Sequence, residues 1–458
     1  MTAGDPAYGG LMTQARAATD AQIRNAAWQV LRDNDLGHLT TAAPHLYPHL
    51  WSWDAAFVAI GLARVDVPRA IRELETLLGA QWTTGMIPHI VFSDDETGYF
   101  PGPDRWGTDT AAARPVSVRT SGICQPPVHA IALRHIVDRA RENGGADQAA
   151  AEDFLAGSFD GWLAWHRWLA SARDPQRVGL VEIHHGWESG FDNSPRWDGP
   201  YARVRPGPVE PFVRRDTLHV SDPGQRPDDL EYTKYLWLVQ QLASVDYDDQ
   251  LVVDAVDFRV RDVFFSAILA AASDVLADLG DEVARPDAAA ELREIARRFR
   301  AGVASTIDPS TGLARDFDVL AGEWISTQTV SGFAPLVAGG EADLLRDQRV
   351  LLAGSDWMGE PRLRFPLPPS TSPVSPDFRP RKYWRGPVWP FLNLLLGWAC
   401  ARDGAADLHE ALRTASLDQL SDLTFGEYYE PFTGEPLGSL AQSWTAAAAL
   451  EWLGSSGA

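Results

Sequence analysis

Carboxylic acids set among indole rings are the residues of this sequence best placed to do chemistry. The run Gly186-Trp187-Glu188-Ser189-Gly190-Phe191-Asp192-Asn193-Ser194-Pro195-Arg196-Trp197-Asp198 puts three acids into a glycine-containing loop between aromatics. Glycine lets a backbone approach a ligand closely. An acid packed against indole loses hydration, its pKa rises, and it becomes a general acid usable near neutral pH. A solvated turn is the plainer reading, and the aromatic neighbours weigh against it. Near the C-terminus, Glu427-Tyr428-Tyr429-Glu430-Pro431-Phe432-Thr433-Gly434 supplies two more acids. Either could serve as a base while the other stabilises the turn.

Two further clusters suit a sugar. Tyr47-Pro48-His49-Leu50-Trp51-Ser52-Trp53-Asp54 precedes the apolar run 55–60, where Asp54 could simply cap a helix. Tyr383-Trp384-Arg385-Gly386-Pro387-Val388-Trp389-Pro390 opens the apolar stretch 391–399, with proline at the expected helix start. The chain has 18 tryptophans, many in short Gly/Pro-punctuated segments outside helical stripes. Indole faces stack on the C–H faces of a pyranose while polar groups bind its hydroxyls. One acid early and one late, both among rings, is what glycosidic cleavage requires. One carboxylic acid protonates the leaving oxygen, and an opposing carboxylate activates water or attacks carbon. A separation of about 6.5–9.5 Å gives inversion and about 5 Å retention. Spacing along the chain does not supply that distance.

The elements that must hold these loops are helical. In 288–299, Leu292, Ile295, Ala296 and Phe299 fall on one helical face, with Asp287 offered as N-cap. Similar periodicity predicts helices over 12–33, 52–64, 66–83, 125–142, 147–172, 228–247, 254–280, 342–353, 388–403, 406–422 and 439–454. Strand alternation is scarce; 180–183 and 324–327 are at most hairpin pieces. Long connections at about 84–124, 184–227, 355–387 and 424–438 carry Trp, Tyr, Asp and Arg, a functional rather than a linker composition. No repeat at a fixed period and no linker divides the chain, so one domain over 1–458 is expected, with loop insertions at about 84–124 and 184–227. Many helices and few strands suggest a toroid of paired helices with the site at one rim, although periodicity equally allows a solenoid.

Composition narrows the partners. A net charge of −22, from 62 acids against 40 bases, argues against nucleic acid. An anionic ligand would need a local basic pocket. Cys124 and Cys400 lie far apart with no metal spacing, which fits a reducing compartment and predicts no disulfide. Without a secretory signal or 18 consecutive apolar residues, a cytoplasmic protein that does not span a membrane is expected. The neighbouring His184 and His185 lack a third ligand, and no metal or other cofactor is expected.

At this point the chain resembles a known group. YWRGPVWP and E-x-Y-x-P-x-T-G, in that order, resemble the clan of (α/α)6-barrel hydrolases containing glycoside hydrolase family 63 and the trehalases. More narrowly, residues 20–454 resemble the bacterial glucosylglycerate hydrolases, with mannosylglycerate hydrolases as relatives. TTAAPHLYPHLWSWDAAFVAIGLA, GMIPHIVF, TSGICQPPVHAIA, HGWESGFDNSPRWD, RDFDVL, PSTSPVSPDFRP and EYYEPFTGEPLGS carry the likeness. It implies an all-α (α/α)6 barrel with loops forming a lid over the site at one rim. It implies an inverting enzyme with Asp192 as general acid and Glu427 as general base. Tyr47, Trp51, Asp54, Gln125, Trp187, Gly190, Trp384 and Trp389 match the sugar subsite. Tyr99, Arg226, Tyr232 and Tyr383 match the positions holding glycerate and its carboxylate. The partner implied is a small anionic sugar conjugate; the exposed loops also leave room for homo-oligomer assembly. Glucosyl against mannosyl preference stays open, as does another α-glucoside. A sugar epimerase, which would favour histidines in the site, and a non-catalytic sugar-binding protein are the rival classes.

Overall fold

The computed structural model describes residues 17–93, 98–218, 220 and 222–454. Along the chain run α1 (Asp20–Asp33), β1 (Leu50–Trp51), α2 (Ser52–Leu62), α3 (Val67–Leu78), β2 (Ile90–Val91), α4 (Pro103–Trp106), α5 (His129–Asn143), α6 (Gly145–Ala172), β3 (Val181–Ile183) and α7 (Asp198–Arg203). Then come α8 (Asp229–Ala243), α9 (Asp249–Ala255), β4 (Val260–Asp262), α10 (Val263–Glu282), α11 (Pro286–Ser305), β5 (Asp316–Asp318), β6 (Glu323–Ile325), α12 (Ala334–Ala338) and α13 (Ala342–Ala353). The chain ends with α14 (Pro390–Arg402), α15 (Ala406–Gln419), β7 (Tyr428–Tyr429), β8 (Pro436–Leu437) and α16 (Ser443–Gly454).

Six helices close a ring. α2 packs on α5, α5 on α10, α10 on α12, α12 on α14, α14 on α16, and α16 back on α2. A second layer surrounds it: α1 lies on α16, α3 on α2, α6 on α5, α11 on α10, α13 on α12 and α15 on α14. Composition explains the layering. Every residue of α2 and of α12 is buried, as an inner helix apolar all round must be. Outer α3 and α11 bury a single stripe; Leu292, Ile295, Ala296 and Phe299 are on it. The ring axis is filled by rings, with Phe391 4.8 Å from Trp53, 4.9 Å from Phe57 and 4.5 Å from Trp444 between centroids. The fold is the (α/α)6 barrel.

Because outer and inner helices alternate along the chain, every outer-to-inner connection leaves at the same rim. Those connections are the long ones, whereas inner-to-outer turns, such as Gly144 between α5 and α6, are short. The aromatic loops therefore gather at one end of the barrel. Part of them forms a cover: Phe100 stacks on Phe212 at 5.9 Å, Phe212 meets Tyr232 at 5.7 Å, and Tyr232 Oη donates to Phe100 O at 3.1 Å.

Local expectations needed correction in places. The single helix over 254–280 is three elements, because Val260–Asp262 pairs with β3 and β5 inside the antiparallel sheet β3-β4-β5-β6. Asp262 then caps α10, accepting from Phe264 N at 2.8 Å and Phe265 N at 3.0 Å. The pieces at 180–183 and 324–327 join that sheet as β3 and β6, the latter in a hairpin with β5. Helix α1 begins at Asp20 behind a Thr19/Gln22 capping box, and residues 12–16 lie outside the described residues. Proline at 286 starts α11 one residue before Asp287, which sits in the first turn, not at the cap. Helix α10 is long and apolar enough to cross a bilayer by length and composition, but it is an inner, largely buried member of the ring.

Candidate active site

Glu427 immediately precedes β7, whose pairing with β8 fixes the backbone: Glu427 N donates to Ser439 O at 2.7 Å. Its side chain is fully buried. Tyr47 Oη donates to Oε1 at 2.9 Å, Tyr383 Oη donates to the same oxygen at 3.1 Å, and Ser439 N reaches Oε2 at 3.3 Å. Gly438, at φ +69°, leaves room for that carboxylate; a Cβ there would stand 2.2 Å from Oε2. Arg226 closes the group. Its Nη2 donates to Tyr47 Oη at 2.6 Å, Nη1 is 3.7 Å from Glu427 Oε1, and its guanidinium lies 4.0 Å from the centre of the Tyr383 ring.

Asp192 follows a tight turn at Gly190, which admits no side chain: its φ is +74°, and an added Cβ would stand 2.3 Å from the Trp53 ring. Asp192 keeps part of its surface open, and that opening is toward a cavity also lined by Tyr47, Trp51, Tyr99, Trp187, Arg226 and Tyr232. Asp54 lies in the first turn of α2, where Trp51 occupies the cap position, so its carboxyl is not the helix cap.

These acids sit in one electrostatic field. Burial pushes Asp192 up to about 7, with Arg226 opposing and Glu427 adding to the rise. Burial raises Asp54 well above the carboxylate range, helped by the charges of Glu427 and Asp192. Glu427 is raised by burial as well, against the pull of Arg226 and the two tyrosine hydroxyls. Carboxyl groups this close do not all ionise together, so at least one keeps a proton at neutral pH.

The other expected residues divide. Trp51 makes edge contacts with Tyr47 at 5.3 Å and Tyr99 at 5.2 Å, all three on the cavity wall. Gln125 acts on the backbone, its Oε1 accepting from Trp53 N at 3.2 Å. Trp384 and Trp389 were expected as sugar-facing walls, but their faces lie on each other at 3.7 Å and 1°. Phe191 and Tyr428 pack on their outer sides at 4.3 Å and 4.8 Å. The pair therefore braces the loops of Asp192 and Glu427, and Asn193 Oδ1 accepting from Trp384 N at 3.0 Å ties the Asp192 loop to the turn that carries Trp384.

Residues 47–445 match the family described as "Mannosylglycerate hydrolase MGH1-like glycoside hydrolase domain". The chain is 55% identical to the glucosylglycerate hydrolase of Mycolicibacterium hassiacum over 439 residues, 95% of this chain and 98% of that protein. The chain belongs to the MGH1-like glycoside hydrolases. The GH63 mannosylglycerate hydrolase from Thermus thermophilus, solved with Tris, superposes with a TM-score of 0.86 at 39% identity, covering 94% of this chain and 99% of that one. The same enzyme solved with Tris and D-glycerate gives a TM-score of 0.85 at 40% identity, with the same coverage.

For a glycoside hydrolase, which acids remain available decides the chemistry. Glu188, four residues before Asp192, is spent: Arg173 grips it twice, at 2.7 and 2.9 Å, and His184 N donates at 2.7 Å. Although burial opposes ionisation, Arg173 holds Glu188 down at about 2. Asp198 pairs with Arg385 at the surface, and Glu430 accepts from Phe432 N at 3.0 Å to close its turn. His184 faces Glu182 at 3.3 Å and His185 the carbonyl of Tyr235 at 3.0 Å, both as packing partners. Sequence reasoning passed over His89 and Asp216, which line the same cavity. His89, inside GMIPHIVF, is held to about 3 by burial and so stays neutral, near-parallel to Trp187 at 6.5 Å. Asp216 sits in the 184–227 insertion, where Arg214 pairs with it at 2.6 Å and Arg226 at 3.5 Å. A larger cavity of about 410 Å³ opens at the opposite rim, lined by Phe57, Leu394 and Trp398. Its Glu451 is already paired with Arg64 at 2.5 Å, so that void does not compete as the catalytic centre.

Proposed function

We propose that this enzyme hydrolyses glucosylglycerate to glucose and glycerate with inversion at the anomeric carbon. The observation that carries the reading is that Asp192 and Arg226 line one aromatic cavity in an otherwise acidic protein, with the buried Glu427 just behind, 3.7 Å from the Arg226 guanidinium. Asp192, raised by burial to about 7, keeps its proton and delivers it to the glycosidic oxygen as the C–O bond breaks. Glu427, oriented through Oε1 by Tyr47 and Tyr383, takes a proton from the water that bonds to the anomeric carbon. Asp54, Trp51 and Trp187 hold the sugar, and Arg226 with Tyr99, Tyr232 and Tyr383 holds the glycerate. A guanidinium suits a carboxylate because its fork donates two parallel hydrogen bonds, which reconciles an anionic substrate with a net charge of −22.

The 55%-identical glucosylglycerate hydrolase of Mycolicibacterium hassiacum supports glucosylglycerate as substrate, and the D-glycerate bound by the Thermus enzyme supports an anionic aglycone. That second relative favours mannosylglycerate as the alternative. Glucose or mannose release from glucosylglycerate, mannosylglycerate and trehalose decides between them. NMR of the first-formed sugar tests inversion: a β-anomer from the α-glucoside is expected, and an α-anomer rejects the mechanism.

A further inference from the structure

Arg226 has two claims on it. It is 6% exposed, and Nη2 is spent on Tyr47 Oη, yet Nε and Nη1 are buried without a hydrogen-bond partner among the described residues. Those two donors stand at longer ionic contacts, with Asp216 at 3.5 Å and Glu427 at 3.7 Å. The same guanidinium that still has hydrogen bonds to give thus stands beside the carboxylate that must act as base.

We propose that Arg226 is shared between the enzyme's base and the substrate's own carboxylate, so that binding an anionic aglycone releases Glu427 from restraint. This rests on the reading of the site as one that cleaves a glycerate conjugate. A cation within about 4–6 Å lowers a carboxylate's pKa by roughly 1–3 units and weakens it as a base. A substrate carboxylate taking the unspent donors of Arg226 neutralises that cation and brings a negative charge of its own. Glu427 then becomes more basic. Asp192, which Arg226 also pulls toward ionisation, holds its proton to higher pH. Both changes favour the bond-breaking step, and a neutral aglycone in the same place makes neither.

The surrounding groups allow this assignment. Facing Glu427 are Tyr47 from the loop before β1, Tyr383 from the turn before α14, Arg226 from the insertion, and the carboxyls of Asp54 and Asp192. Facing Arg226 are Tyr47, Tyr383, Glu427 and Asp216, with Tyr428 beside them. The tyrosines remain protonated at neutral pH because burial raises them further. Asp216 stays ionised through Arg214 and Arg226, despite burial. The carboxylate of the ligand is the new charge that enters.

The test is the pH dependence of kcat and kcat/KM for glucosylglycerate and for its carboxamide, with single-turnover rates isolating chemistry. The kcat/KM profile reports the free enzyme and kcat the complex. For the acid, the acidic limb in kcat is expected about one unit or more above its place in kcat/KM. For the amide the two limbs should coincide, and an amide that binds but releases no glucose supports the proposal equally. In Arg226→Gln the kcat/KM limb for the acid should already lie at the higher position. If that variant does not fold, or if the amide does not bind, the two wild-type profiles for the acid decide alone. Coincident limbs for the acid, or an equal displacement for the amide, overturn the proposal. No glucose release from either compound overturns the substrate assignment instead, and this inference with it.

Discussion

Replacing Gly438 with alanine separates two things this glycine does for the base. Its φ of +69° costs an L-residue about 1–2 kcal/mol wherever it occurs. The added Cβ also falls 2.2 Å from Oε2 and 2.8 Å from Cβ of Glu427. Restoring a van der Waals contact moves the carboxylate by roughly 1 Å, away from Ser439 N and out of line with Tyr47 and Tyr383. A displacement of that size costs on the order of 100-fold in rate. Gly322 provides the control: it has φ +72° in the β5–β6 turn, and nothing within 4 Å of its would-be Cβ. Gly322→Ala should therefore lose only the backbone cost in urea unfolding, Gly438→Ala that cost plus about 1–3 kcal/mol for the overlap, and only Gly438→Ala should lose about two orders of magnitude in single-turnover glucose release. If Gly438→Ala stays within about threefold of wild type, a shift of only ~0.6 kcal/mol in barrier, the placement argument is wrong.

Asp192→Asn and Glu427→Gln should each lower kcat by at least about 10²–10⁴ with an unchanged circular dichroism spectrum; near-normal turnover in either rejects its role. Since Asp192 must carry its proton and titrates at about 7, kcat/KM should fall as pH rises through 7. The same raised pKa has a stability sign. Folding favours the protonated acid, so ionisation costs stability progressively from about pH 4, the unfolded value, to about 7. Asp192→Asn should accordingly raise the melting temperature at pH 8 and leave it unchanged near pH 3.5; equal effects at both would contradict the burial argument. Glu188→Gln strands a buried Arg173 and should cost about 3–5 kcal/mol in urea unfolding, while an unchanged midpoint would show that the pair is not structural.

Much of the architecture was legible because it is written locally. The stripe Leu292, Ile295, Ala296 and Phe299 marks an outer helix, and unbroken apolar runs such as 55–60 mark inner ones. The four aromatic loops announced themselves by composition, and with them Asp192 and Glu427. The break at Val260–Asp262 was missed although Asp257-Phe258-Arg259-Val260-Arg261-Asp262 alternates polar and apolar; so short a stretch becomes a strand only by pairing with β3 and β5. Five-residue α12 is too short to show a period, yet it completes the ring.

What sequence alone determined, then, is an α-helical chain with acids and indoles concentrated in its long connections, since periodicity and composition are properties of neighbouring residues. Which of those acids can move a proton was decided in three dimensions. Glu188 and Asp192 stand four residues apart in similar company, but Arg173 at the end of α6 neutralises one while the other faces the cavity. Tyr47, 380 residues from Glu427 along the chain, lies 2.9 Å from it in space. The stacking of Trp384 on Trp389, and the share of Arg226 held by Glu427, depend likewise on where the closed ring brings distant loops. A pKa is set by local hydration and by every charge within a few ångströms, and only the folded chain fixes either.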